Sequence, residues 1–578
     1  MVGNKGLITV GELLLGRLHD LGVRHVFGVP GDHGMDLVDQ VVRFNGIDWI
    51  GSSNELNAGY SADGYARVAG VAAMMTHFGP GELSAINALA GAMAESVPVV
   101  SIVGGPTLEI MRHRTPIHHS LADGDFDHWI RMAGEVTVAQ TSLTPQNALD
   151  EIDRVLAECW SQQRPVYIRI AGDVAKAPVS KQPRRFIRPE SITDPTQLDQ
   201  FTDAARRLVA EAERPALLVG NLPIRLGLES AVAELARDRN WPVAAHTLGR
   251  GLMDEGDSRY VGIYHGAESS DPVCEVVEGA DALVCVGTTF FDWSGLFTAS
   301  LDSDRVINLG RNSAVVAGVR FAPVSLAAAL SRLHELAAIR TTDWSKDPVL
   351  LGDPPELDGM SAEPVQQERL WPAVQGILRP GDILVPEVGT PFFGAALMRL
   401  PVGVTVLAAP IWSSLGYATP AAFGAGVASP GRRVVLICGD GGLQMTVQEV
   451  SRMLSFGQKP IVIVVNNGGY AVGRALDEAE GEGVQPHADI AAWRYCELPA
   501  VFAPGEPFAA HIARTEAELA RVLANVDDVP DRLTLIEVIL GRTDLPPGVP
   551  EWSRETSAAD YHAKIPAPVS LPWHGLSQ

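Results

Sequence analysis

The sequence predicts an α/β protein built from three doubly wound parallel-sheet domains. Three observations predict it. Short apolar runs rich in β-branched residues alternate with segments whose apolar residues recur at helical spacing, the pattern of strand–helix–strand units with parallel strands. A chain of 578 residues, 46% of them hydrophobic, is long enough for about three domains with separate cores. Two stretches, 175–196 (rich in Pro and basic residues) and 339–367 (with DPPELDG at its centre), read as linkers. The domains are therefore placed at 1–185, 197–340 and 368–550, with 551–578 as an extended tail.

In the first block, residues 11–21 read as a helix and HVFGV (25–29) as a strand, and PGDHGMDLVDQVV turns into a second helix. Residues 49–53 form a strand. The helix at 55–68 is rich in small residues (Ala58, Gly59, Ala62, Gly64, Ala66), which allow close packing against a neighbour. Residues 71–77, 97–104 and RPVYIRIAGDV (164–174) are further strands. In the second block the strands are 216–219, 243–246, 282–286 and 305–309. This block has no GxGxxG phosphate loop and reads as structural, with a regulatory or nucleotide site left open. The third block contains VVLICGDGGLQMTVQEVSRMLSFGQKPIVIVVNNGGYAVG (434–473). Its strands are 434–438 and 461–465. Leu443, Val447, Val450 and Leu454 place one helix between them, stopped by Gly457 and Pro460. From Asp544 the chain is rich in Pro and Gly and reads as an extended arm.

The formal charge of −24 argues against a nucleic-acid partner, which needs basic patches. Five dispersed cysteines with no CxxC fit a reducing cytoplasm. The N-terminus lacks the apolar core and cleavage site of a signal peptide, and no apolar run is long enough to span a membrane.

Asp440 and Asn467 each follow a strand, at the edge where open α/β sheets bind ligands. A carboxylate and an amide oxygen suit Mg²⁺. Gly439, Gly441 and Gly442 let backbone approach a phosphate at a helix N-terminus. GDGG alone reads as a strand-to-helix turn with Asp as N-cap. NN after the next strand changes that reading, and the whole segment resembles the thiamine diphosphate signature. The resemblance implies that Asp440, the Asn467 side chain and the Gly469 carbonyl hold the metal, with Tyr470 at the cofactor.

ELNAGYSADGYAR, FGPGELSAINALAGAMAES and RPVYIRI resemble the pyruvate and indolepyruvate decarboxylase group of thiamine enzymes, and the resemblance runs to about residue 545. It implies a thiamine diphosphate-binding fold, in which the first domain binds the pyrimidine and the third the diphosphate and Mg²⁺. It makes Glu55 the carboxyl that activates the aminopyrimidine, a role a buried carboxyl with a raised pKa can fill. Read alone, Glu55 only complements a helix dipole. By the same resemblance Asp32, the pair His118–His119 and Thr76 are catalytic. Gly389 and Thr390 touch the cofactor, and Leu415 wedges it into its bent form. Phe392, Phe393, Val472, Gly473 and Leu476 line the substrate pocket.

The resemblance breaks at Gly473, six residues past Asn467, where the group carries a glutamate. A positioned general acid contributes about 10²–10⁴-fold. Asp477, Glu478 and Glu480 could substitute but read as a solvated run. His33 and Gly34 depart from the group's residues after Asp32, and the tail departs from its closing helix. These departures lead to a carboligase on a decarboxylase scaffold. A 2-keto acid larger than pyruvate, aryl or branched, loses CO₂, and the remaining acyl fragment meets a carbonyl acceptor before a proton. The alternative is a plain decarboxylase releasing an aldehyde. A cofactor-binding protein without activity is a third reading, opposed by the intact Asp440, Asn467 and Glu55. The group's shared active site implies a homodimer or homotetramer.

Overall fold

The computed structural model describes residues 6–180, 185–296, 298–336, 357–478, 486–526 and 531–556. Most of both linkers' centres (181–184 and 337–356) and residues 557–578 of the expected tail lie outside the described residues.

Three sheets form. The first is wholly parallel, in the order Asp48–Gly51, His25–Gly28, Ala72–His77, Val99–Gly105, Val166–Ala171, Gln140–Ser142. The third is also parallel, in the order Thr405–Val406, Ile383–Pro386, Val434–Gly439, Ile461–Asn466, Leu533–Ile539, Phe508–Ala513. Their inner strands are buried along all or all but the last residue of their length, as strands covered by helices on both faces must be. The central sheet is parallel from Tyr260–Tyr264 to Val306–Leu309. It then closes with an antiparallel hairpin, Ala314–Val316 and Val319–Phe321. Its two-residue turn uses positive φ at Ala317 and Gly318. The sequence reading lacks this hairpin because Ala-Gly is a weaker turn signal than Asn-Gly or Asp-Gly.

The small-residue helix Glu55–Ala69 starts at Asn54, whose side chain accepts the Asn57 N–H, and ends at left-handed Gly70. It packs against Ala418–Ala428 of the third domain, and both helices share one core with Phe27, Tyr417 and Phe423. The approach is close enough to require glycine. A Cβ on Gly64 would lie 2.2 Å from the Ala421 carbonyl oxygen, and one on Gly424 1.9 Å from that of Ser61. Tyr417 donates to Asp63 at 2.6 Å, and Asn57 donates to the buried Glu449 at 2.8 Å.

Two sequence expectations are corrected. The helix after Val434–Gly439 is two helices, Asp440–Thr446 and Glu449–Ser455. At the break, three-residue turns replace four-residue ones, and the Gln448 carbonyl accepts Ser53 Oγ of the first domain. The expected extended arm contains a helix, Val549–Thr556, packed against Ala471–Glu478. Trp552 and Val549 turn apolar surface inward there, and that burial outweighs the Pro-rich start. Among the described residues no helix is long and apolar enough to cross a membrane.

Candidate active site

Two groups of side chains gather at the carboxyl edges of the first and third sheets. In the third domain, Asp440 opens the helix after Val434–Gly439 and is buried. One carboxylate oxygen accepts the Gly441 N–H at 2.8 Å, and the other accepts Gly468 and Gly469 at 2.8 and 3.1 Å. Burial pushes the carboxyl up to about 6 against these stabilising bonds. Asn467 follows the next strand, and its Oδ1 is buried without a hydrogen-bond partner. An orphaned amide oxygen beside a buried carboxylate is a donor set that fits a hard dication. Gly469 lies on the same loop, and a Cβ there would lie 2.0 Å from the Ala488 carbonyl. Arg474, which sequence reasoning missed, clamps this loop. Its guanidinium donates to the carbonyls of Asn467 and Gly468 and pairs with Asp489 at 2.9 Å.

Gly441 and Gly442 have a further reason to lack side chains. A Cβ on Gly441 would strike the Tyr470 ring at 2.5 Å, and one on Gly442 the Glu387 side chain at 2.8 Å, whereas Gly439 faces open space. Glu387 was also missed. It is fully buried and accepts the N–H groups of Val388, Gly416 and Ala418. Burial raises it to about 7 despite those bonds. It follows the strand Ile383–Pro386 as Asp440 follows Val434–Gly439, so the strand-end rule could have found it. Glu387 also ties Gly389–Thr390 to the loop that carries half-buried Leu415.

In the first domain, Asp32 and His118 join, carboxylate to Nε2, at 2.7 Å. Burial raises the Asp32 carboxyl, but the bonds from His118 and the His33 amide win and hold it at about 2. His119 contacts His118 edge-on, with ring centroids 4.4 Å apart. Thr76 is buried, and its hydroxyl has no partner. A Cβ on Gly81 would meet Glu55 Oε1 at 3.1 Å and His77 Cβ at 3.4 Å, so Glu55 and the histidines flank one glycine. The expected residues Asp32, Glu55, His118 and His119 thus converge, joined by His33 and by His77, which sequence reading did not select. Glu82 was likewise missed. Buried beside this edge, it accepts Gly79 N–H and Tyr167 OH and is raised by burial to about 7.

No hydrogen bond or ion pair among the described residues joins the Glu55 group to the Asp440 group. A cavity of about 550 Å³ lies mainly between the central and third domains, lined by Phe392, Phe393, Trp293, Val549 and Trp552 but not by Asp440, Asn467, Val472, Gly473 or Leu476. Phe393 lies 4.6 Å from Trp552 and 5.7 Å from Trp293, centroid to centroid. The two tryptophans carried no sequence signal, because each reaches the cavity only through packing of distant segments. Val472 and Leu476 are half-buried on the helix Ala471–Glu478, and Gly473 is exposed. Glu480 lies outside the described residues, as do the side chains of Asp477 and Glu478.

Residues 8–128 match the thiamine pyrophosphate enzyme N-terminal TPP binding domain, 202–334 the central domain and 388–538 the C-terminal TPP binding domain. The chain is 42% identical over 554 residues to an alpha-keto-acid decarboxylase of Mycobacterium avium, covering 95% of this chain and 97% of that one. It is 42% identical over 541 residues to the protein of the same description from Mycobacterium tuberculosis H37Rv, covering 93% and 95%. A Mycobacterium ulcerans relative, also described as alpha-keto-acid decarboxylase, is 41% identical over 543 residues, covering 93% and 94%. With all three domains matched and the relatives covered nearly end to end, the chain belongs to the thiamine diphosphate-dependent 2-keto acid decarboxylase family.

Proposed function

We propose that this chain catalyses the thiamine diphosphate- and Mg²⁺-dependent decarboxylation of an aryl or branched 2-keto acid. In this reading it then delivers the acyl fragment to a carbonyl acceptor in preference to a proton, so that a hydroxyketone forms. The observation that carries the second half is Gly473. Among the described residues a Cβ there would have only Tyr470 Cβ within 4 Å, at 3.7 Å, so the position offers space, and glycine itself supplies no acid. Bound thiamine diphosphate supplies the electron sink for CO₂ loss. The chain's own residues do the rest. Asp440, Asn467 and the Gly469 carbonyl hold the metal, and Gly389, Thr390 and the Gly439–Gly442 turn seat the diphosphate. Tyr470 and Leu415 fix the cofactor's attitude. Glu55 holds a proton at the pyrimidine nitrogen. Asp32, His118, His119 and Thr76 orient the substrate carboxylate. Phe392, Phe393, Val472 and Leu476, with Trp293 and Trp552, enclose the side chain and exclude water.

That the relatives are described as alpha-keto-acid decarboxylases supports the decarboxylation itself. A second reading, simple release of an aldehyde, is favoured by His33 and His77, two further imidazoles beside Asp32 that could supply the proton.

Product analysis with and without an acceptor aldehyde separates the two. Gly473→Glu should raise the ratio of released aldehyde to hydroxyketone by about tenfold or more, a floor below the roughly 10²–10⁴-fold that one positioned acid contributes. Gly473→Gln, of similar bulk, should lower ligation without accelerating release. If the wild type already releases aldehyde rapidly with no acceptor present, the ligase reading fails and the plain decarboxylase reading replaces it.

A further inference from the structure

Four histidines surround Asp32, which is more than pairing with one carboxylate needs. The Asp32 carboxylate lies 2.7 Å from His118 Nε2 on one side and 3.6 Å from His77 Nδ1 on the other. The His33 ring stacks on His118 at 5.1 Å and on His77 at 5.8 Å, and His119 meets His77 edge-on at 4.0 Å. Donor atoms of Asp32, His33 and His118 all fall within 4.8 Å of one another, and so do those of Asp32, His77 and His119. His33 Nε2 and His77 Nδ1 are buried with no hydrogen-bond partner. A buried imidazole nitrogen left unpaired is costly unless something binds it.

The backbone holds the rings in this position. A Cβ on Gly31 would strike the His77 side chain at 2.4 Å, one on Gly79 would meet the His119 carbonyl at 2.2 Å, and one on Gly104 would meet Gly34 Cα at 2.4 Å. His119 itself sits at φ 65°.

We propose that Asp32, His33, His77, His118 and His119 form a binding site for a divalent transition ion of the Zn²⁺ class, separate from the hard-ion site at Asp440 and Asn467. One carboxylate with two imidazoles is a donor set that selects Zn²⁺, Cu²⁺ or Ni²⁺ over Mg²⁺. The two triads share Asp32, so one ion takes one triad and leaves coordination positions open to solvent or substrate. An ion held in either triad occupies the Asp32 carboxylate, and in the first it takes His118 as well. The proposal rests on the functional reading only in its consequence, which is that Zn²⁺ should inhibit turnover competitively with the keto acid.

The test uses holoenzyme saturated with Mg²⁺ and thiamine diphosphate. Zn²⁺ alone is titrated calorimetrically, and Co²⁺ replaces it for visible spectroscopy. The expected result is one ion per chain, with Co²⁺ bands of four- or five-coordinate geometry. His33→Ala and His77→Ala together should weaken binding by about tenfold or more, as loss of ligands does. Quenching of tryptophan fluorescence by thiamine diphosphate in the same variant shows that the fold persists. Absence of a saturable site, or affinity unchanged in the double variant, overturns the proposal. Because the readout is binding, it stands or falls whether or not the chain ligates or merely decarboxylates.

Discussion

Among the described residues Glu387 has three backbone donors and no cation partner, so amides alone hold its charge there. Its carboxyl is raised by burial from 4.5 to about 7, and Glu82 is raised likewise. The sign follows from proton binding. Between pH 4.5 and about 7 the folded state keeps protons that the unfolded chain has released, so stability falls as pH rises through that window. Urea midpoints of the cofactor-free protein should therefore decline from pH 5 to pH 7, at roughly 1.4 kcal/mol per unit of pKa displacement. Glu387→Gln removes one of the titrating groups and should flatten the slope, and an unchanged slope would count against the assignment. Such a residue is half legible in sequence. Its place after a strand can be read, but its burial depends on loops around Gly416 and Gly442 that fold against it.

At the scale of elements, the terminal helix Val549–Thr556 decides the shape of the cavity. Trp552 closes a triangle with Phe393 and Trp293, with centroids 4.6 to 5.7 Å apart. Removing the indole should lower kcat/KM for aryl 2-keto acids by about tenfold, the effect of losing roughly 1.4 kcal/mol of contact, and alter pyruvate turnover much less. Steady-state kinetics of Trp552→Ala on the two substrates is the check, and an equal fall on both would detach the helix from side-chain recognition. This helix shows where sequence reading fails. Its first turn is weakly patterned and begins near prolines, and only docking onto Ala471–Glu478 stabilises it. The break at Val447–Gln448 has the same cause, since a side chain from another domain takes the carbonyl.

At the scale of the molecule, the Glu55 group and the Asp440 group sit at the edges of different sheets, with no hydrogen bond between them among the described residues. If one active site requires both, a second chain in a two-fold dimer would complete it. Glu55→Gln and Asp440→Ala should each be inactive. Co-expressed in one cell, they should regain activity, because a mixed dimer carries one intact site beside one doubly altered site. With random pairing the recovery should be about a quarter of wild type. Sedimentation of wild type at low micromolar concentration should show no active monomer. Absence of recovery in mixed dimers that are shown to form would place each site within one chain.

The sequence by itself determined the repeating βαβ architecture, the loops that end the strands carrying Asp440 and Asn467, and the departure at Gly473. These are local properties, set by hydrophobic period and by residues a few positions apart. Tertiary structure alone decided that Glu387 and Glu82 are buried, that His77 joins Asp32, and that Trp293 meets Trp552. Each of those depends on segments tens to hundreds of residues apart being brought together. Periodicity records which face of an element is buried, but it does not record which distant element covers it.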